Sequence, residues 1–218
     1  MSNFFNLDNP FFTFLGKVCD IIFLSVVYLL LCIPIITIGP ANTALYYATV
    51  KVIRRERGYL FREFFKSFRL NFKRAAIIGV VLTICYVIII FDLYTAWISI
   101  GGNSISSILF GVYVAIAIIL LCFTTYIYPV LSRFDMSFKQ LIKVVFYMSM
   151  RHLPSTIVMV VVQVAAILGV FLSPILIFVV PALSTFLNSL LMERIFKKYT
   201  PKSDESDDES KKDEWYLE

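Results

Sequence analysis

The hydrophobic positions of this chain come in long blocks, and the blocks set its elements. Val18–Ile36, Ala75–Ile98, Ser107–Leu131, Leu153–Leu172 and Pro174–Met192 are predominantly apolar. Each has about the 20 residues that a transmembrane helix needs. Interruptions are few. Asp20 is the only charge in Cys19–Ile38, Asp92 is the only one between Ala75 and Ser132, and Leu153–Met192 has none. Such runs predict helices that satisfy their own backbone in lipid. The connection "LSP", Leu172–Pro174, is so short that its flanking helices must be antiparallel neighbours, and "ISIGGNSISS" forms another tight turn.

One stretch, "LLLCIPIITIGPANTALYYATVKVIRR" from Leu29 to Arg55, reads two ways. A single crossing gives five spans with the N-terminus outside, and the absence of Lys and Arg before Lys17 favours that. A turn at "TIGP" instead starts a second helix. Pro40 then sits in its first turn, where a missing N–H costs nothing. The helix runs to Arg57, about 27 Å, with Lys51, Arg54 and Arg55 snorkelling to the surface. An internal comparison favours the turn. "IPIITIGPANTALYYATVKVIRRERGY" and "SPILIFVVPALSTFLNSLLMERIFKKY" each end an apolar run in Pro, and each has a second Pro six or seven residues later, followed by Ala. Each then continues as a Thr-bearing apolar helix that ends in basic residues. The expected fold is all-α: a polytopic membrane protein of about six transmembrane helices in three hairpins. Five spans are the alternative.

The segments between spans are patterned too. "LFREFFKSFRLNFKRA" sets Phe61, Phe64, Phe65, Phe68 and Phe72 at helical spacing, with Arg62, Lys66, Arg69 and Lys73 on the other face. Rings on one side and cations on the other suit an interfacial helix, which meets either anionic lipid or a partner. "SFKQLIKVVFYMSMRH" repeats the theme more weakly. A third such helix is expected at the N-terminus, capped by Asp8 or Asn9, with Pro10 in its first turn and Phe11, Phe12 and Phe14 following.

Composition agrees with a membrane protein: 59% of residues are hydrophobic and 16% charged. Charge sets the sides. Lys51–Arg74 holds nine Lys and Arg against two Glu, Ser132–His152 holds four, and the segment after Met192 holds six, while Asp92–Ser106 holds none. By the positive-inside rule the basic segments and the C-terminus are cytoplasmic. No cleavable signal peptide is evident, so the first span is expected to stay as an anchor. Residues 1–199 read as a single membrane domain. From Thr200 the chain has eight acidic and three basic residues without apolar periodicity, and a disordered tail is expected.

Candidate chemistry is sparse. Cys19, Cys32, Cys85 and Cys122 lie in or beside apolar runs and read as small packed side chains. His152 is the only histidine, and no P-loop, GxSxG, GxGxxG or HExxH occurs. No catalytic activity, cofactor or nucleic-acid partner is expected. Polar residues in or near spans are the default functional candidates because they are costly there. These are Asp20, Asn42, Thr43, Gln163 and Asn188, with hydrogen bonding between helices as the plainer role. Asp20 and Lys17, three apart, can pair on one helix face.

The segment "F-x-F-L-G-K…D" and the block "PIITIGPANTALYYATVKVIRRERGYLFREFFKSFRLNFK" resemble the YesL-like family of bacterial membrane proteins. Pro34, Thr37, Gly39, Ala44, Leu45, Tyr46, Tyr47, Arg54, Gly58, Phe64, Phe65, Phe68 and Phe72 carry the likeness. "YIYPVLSRF", Tyr126–Phe134, and "HLP", His152–Pro154, are similar to later landmarks. The resemblance covers roughly residues 5–195. It implies a Gram-positive cytoplasmic-membrane protein of unassigned molecular function, encoded near ATP-driven sugar transporters and polysaccharide-degrading enzymes. It therefore implies an accessory or regulatory role in carbohydrate uptake, with a small stand-alone transporter as the alternative. It supplies no site residues.

Overall fold

A computed structural model describes residues 10–99 and 104–199. The N-terminal cap at Asp8 or Asn9, the glycine turn at 101–102 and the acidic tail lie outside the described residues. Among those described there are seven α-helices and no strand. They are α1 (Pro10–Leu31), α2 (Ile38–Ala48), α3 (Leu60–Ile98), α4 (Ser104–Arg133), α5 (Phe138–Arg151), α6 (Leu153–Leu172) and α7 (Val180–Phe196). Four of these helices, α1, α3, α4 and α6, are long and apolar enough to cross a membrane. Their outward faces stay apolar: Phe23, Leu30, Ile77, Ile84, Ile88, Ile119, Val161 and Leu168 are all exposed. A helical surface of that kind is built for a lipid bilayer.

The other two expected spans are shorter and composite. The chain does turn at "TIGP". It passes through a 3₁₀ turn at Ile35–Thr37, runs back as α2, and continues as a π-helical segment, Thr49–Arg54. Thr37 closes the turn by donating to the Leu31 and Pro34 carbonyls. The C-terminal arm follows the same plan, with a 3₁₀ turn at Pro174–Phe178 and then α7. The internal echo of the sequence is thus visible in the backbone: each arm enters through a 3₁₀ turn and carries Pro40 or Pro181 in its first helical turn.

α2 is enclosed by protein. Ala44, Leu45, Ala48 and Ile53 pack with Ile21, Leu24, Phe64 and Ala182 in one apolar core. Tyr46 and Val50 pack with residues of α3 to α7 in the other. The small side chains of "GPANTA" permit this close packing. The tightest approach is at Gly39, where a Cβ would overlap the Ala75 carbonyl oxygen; opposite it, a Cβ on Gly79 would lie 2.7 Å from the Gly39 Cα.

α3 departs from expectation in its length. The interfacial helix and the following span are one continuous helix of 39 residues, about 58 Å long. No Gly or Pro separates Leu60 from Ile78, so nothing interrupts the helix at the expected boundary. Its basic third lies antiparallel beside α2 and the π segment, and the Phe64, Phe65 and Phe68 part of its aromatic stripe packs inward, while Phe61 is exposed. Phe64 is buried, and Phe65 and Phe68 flank the same core. Arg62, Lys66, Arg69 and Lys73 are exposed. The reversal from the π segment into α3 needs left-handed backbone at Glu56 and Gly58.

Candidate functional site: a polar chamber beside a buried ion cluster

The two echoing arms pack against each other, and a small chamber of about 70 Å³ lies between them and two of the long helices. α2 contributes Asn42 and Tyr46, and α7 contributes Thr185 and Asn188. Facing them are Thr124, Thr125 and Tyr128 of α4 and Gln163 of α6. Three of the five polar residues singled out in the sequence, Asn42, Gln163 and Asn188, therefore share one site. They are separated by 121 and 25 positions in the chain, and only the fold joins them.

Local geometry positions each group. Asn42 donates from Nδ2 to the Ile38 carbonyl at 2.8 Å and accepts from the Tyr28 hydroxyl at 3.2 Å. Thr125 donates both to the Leu121 carbonyl and to Gln163 Oε1, the latter at 3.1 Å. Pro129, also in the wall, has no N–H to offer the Thr125 carbonyl. Asn188 is 8% exposed, and its Oδ1 is buried with no hydrogen-bond partner. An orphaned buried acceptor costs about 1–3 kcal/mol, and a native structure that keeps one calls for an explanation.

The other two polar candidates lie elsewhere. Thr43 is buried and bonded to the Gly39 carbonyl of its own helix at 3.1 Å. Asp20 lines a separate open pocket with Lys17 and Glu56. Lys17 pairs with Glu56 at 2.7 Å. The expected partner was Asp20. The left-handed turn after the π segment presents the Glu56 carboxylate directly to the ammonium group, and it takes that place. The Lys17 bond holds the Glu56 carboxyl below its ordinary range.

Sequence reasoning missed the charges beside the chamber. Tyr46 reaches past it and donates to Glu193 Oε1 at 2.9 Å. Glu193 Oε2 meets Arg133 at 2.5 Å and Arg55 at 3.5 Å. The Glu193 and Arg133 side chains are each only 2% exposed, and Arg133 lies over the Phe134 and Phe196 rings. Arg54 donates to the Ser189 carbonyl at 2.7 Å. Beyond Glu193 an open basin of about 370 Å³ is lined by Arg54, Arg55, Arg57 and Lys197. A second buried pair, Lys51–Glu63 at 2.9 Å, ties the π segment to α3. The π turn adds a residue to the helical repeat here, which sets Lys51 toward α3 and Arg54 and Arg55 toward α7. The one legible hint was Glu193 itself, a lone carboxylate inside the basic run "MERIFKK".

The aromatic and basic residues of α3 divide. Phe68, Arg69, Phe72 and Lys73 line a groove of about 910 Å³ between α3 and the segment Leu131–Asp135, the last turn of α4 and the start of the following loop, where Arg74 pairs with Asp135. Phe61, Arg62 and Lys66 are exposed outside it, Phe64 is buried, and Phe65 packs between Phe61, Phe64 and Phe68. An apolar pocket of about 240 Å³, lined by Ile77, Met136, Phe138 and Leu141 among others, adjoins the groove at Arg74.

Among known proteins, the family described as "Protein of unknown function, DUF624" matches residues 19–93. That is about a third of the chain and takes in most of α1, all of α2 and the π segment, and most of α3. No curated protein and no solved structure matches the chain.

Proposed function

We propose that this is a non-catalytic membrane protein that serves as an accessory or regulatory component of an uptake system. The resemblance to YesL-like proteins points to carbohydrate uptake through an ATP-driven transporter. One observation carries the reading: the groove between α3 and α4, whose exposed cations stand on an aromatic stripe locked into the core. Because α3 is unbroken, a load on the groove is transmitted to the membrane-crossing part of the same helix. The groove's chemistry fits an acidic, apolar-flanked segment of a partner, and the positive-inside rule puts it at the cytoplasmic face. The buried ionisable groups support a structural role, because Glu193 and Glu63 are both held by cations.

The test is co-purification in mild detergent from the native membrane. A transporter permease or ATPase subunit should elute in stoichiometric amount and be lost from the Arg69→Glu/Lys73→Glu variant. Both residues are exposed, so the fold is not at stake. Recovery of the same partner from that variant overturns the reading.

The chamber favours a second reading, a small transporter. In that case Gln163→Leu abolishes solute uptake by vesicles, while Arg69→Glu/Lys73→Glu leaves it intact.

A further inference from the structure

We infer that the chamber between the two arms is a binding site for a small, neutral, hydrogen-bonding solute, of the size of a three-carbon polyol or urea. It rests on the chamber's own geometry and not on the docking groove.

Three observations converge. The first is chemical. The wall offers amides, hydroxyls and phenols from four helices and no charged side chain. The nearest carboxylate, Glu193, is already engaged by Tyr46, Arg133 and Arg55. An ion in the chamber would be desolvated without a counter-charge, whereas a neutral polar molecule would find donors and acceptors on every side.

The second is the buried Oδ1 of Asn188, which lacks a partner although the side chain is more than nine-tenths enclosed. Asn188 lines the chamber, but the Oδ1 itself is sealed from a water-sized molecule, so it marks a polar side chain held at the wall and not an open acceptor. The plainer role, interhelical hydrogen bonding, accounts for Gln163 with Thr125 and for Asn42 with Tyr28, but leaves this atom unexplained.

The third is architectural. Both arms are interrupted helices in matching positions of the chain, and each lends two polar side chains to the site. In membrane proteins, matched interrupted helices often flank a solute site; here the interruptions, Ile35–Thr37 and Pro174–Phe178, have no buried residue, and the helices that follow them line the chamber.

Size narrows the ligand. At ~10–15 Å³ for each water-sized probe position, the chamber has room for about five waters or a solute of about as many heavy atoms. A hexose is too large for it as it stands.

Saturation-transfer NMR on the full-length protein in detergent, with glycerol and urea as probes and acetate as a charged control, tests the inference. Glycerol or urea should give a signal that falls several-fold in Asn188→Leu and in Thr185→Val, while acetate stays at background. Asn188→Leu should melt no lower than the parent, because it removes an unsatisfied oxygen. Thr185→Val is close to isosteric and keeps the test open should the leucine perturb packing. Equal signals in parent and both variants would mean micelle-surface association and overturn the assignment. No signal from either neutral probe, or an equal one from acetate, would do so as well. Arg69→Glu/Lys73→Glu should leave the probe signals unchanged, which separates this site from the docking surface.

Discussion

Replacing Glu193 by leucine is the most direct probe of the core. The carboxylate is 2% exposed and faces Arg133, which is equally enclosed. Without it, the buried Arg133 guanidinium loses the carboxylate that it meets at 2.5 Å, and the Tyr46 hydroxyl loses its acceptor. Removing one member of a buried pair costs about 3–5 kcal/mol. In a chain of this length each kcal/mol is worth about 2–4 °C, so the melting temperature should fall by roughly 6–20 °C. Arg133→Met alone should also fall, because it leaves the buried carboxylate to the Arg55 contact at 3.5 Å and the Tyr46 hydroxyl. The double variant removes both charges and restores apolar packing, so it should melt above either single variant. The assay is loss of the monodisperse chromatographic peak after heating in detergent. One heating schedule must be used throughout, because the readout is an operational stability. A double variant whose loss equals the sum of the singles would refute the coupling. A silent Glu193→Leu would refute the burial itself.

Two further outcomes follow from the geometry. Gly79→Ala should lower the melting temperature by several degrees, because its Cβ would fall 2.7 Å from the Gly39 backbone, and overpacking typically costs about 1–3 kcal/mol; unchanged melting would mean that α2 and α3 do not cross here. His152, hydrogen-bonded through Nε2 to the Tyr199 hydroxyl at 3.0 Å, should titrate below its ordinary value, owing to desolvation first and then to the Lys198 and Arg151 charges. With the folded pKa depressed, its contribution is fully present above about pH 6.5, and is lost as pH falls through the folded pKa, where the unfolded chain binds more protons. As the only imidazole in the chain, it gives one NMR titration curve in tag-free protein, and a midpoint at or above 6.5 would contradict the arrangement.

Much of the membrane architecture was legible because it depends on local quantities. Apolar length and absence of charge mark helices that can live in lipid, and prolines beside glycine or serine mark where the chain turns back. The repeat of Pro34–Pro40 in Pro174–Pro181 announced two matching arms, and the backbone shows both. Basic clusters marked the ends of the π segment and of α7.

What lay beyond the sequence depended on how helices rotate and pair. An aromatic stripe reveals that one face of a helix avoids water. It does not reveal whether that face meets lipid or protein, since both are apolar, and tertiary packing turned Phe64 inward onto α1 and α2. α2 is short and flecked with polar residues, and its enclosure follows from being wedged between two cores. Glu193 lies in a basic run near the chain's end and reads as a surface charge. Only the approach of α2, the π segment and α4 makes it a buried hub. Likewise Asn42, Gln163 and Asn188 are separate polar interruptions in the sequence. They become one chamber because three helix faces, each fixed by packing elsewhere along its length, are rotated to a common point.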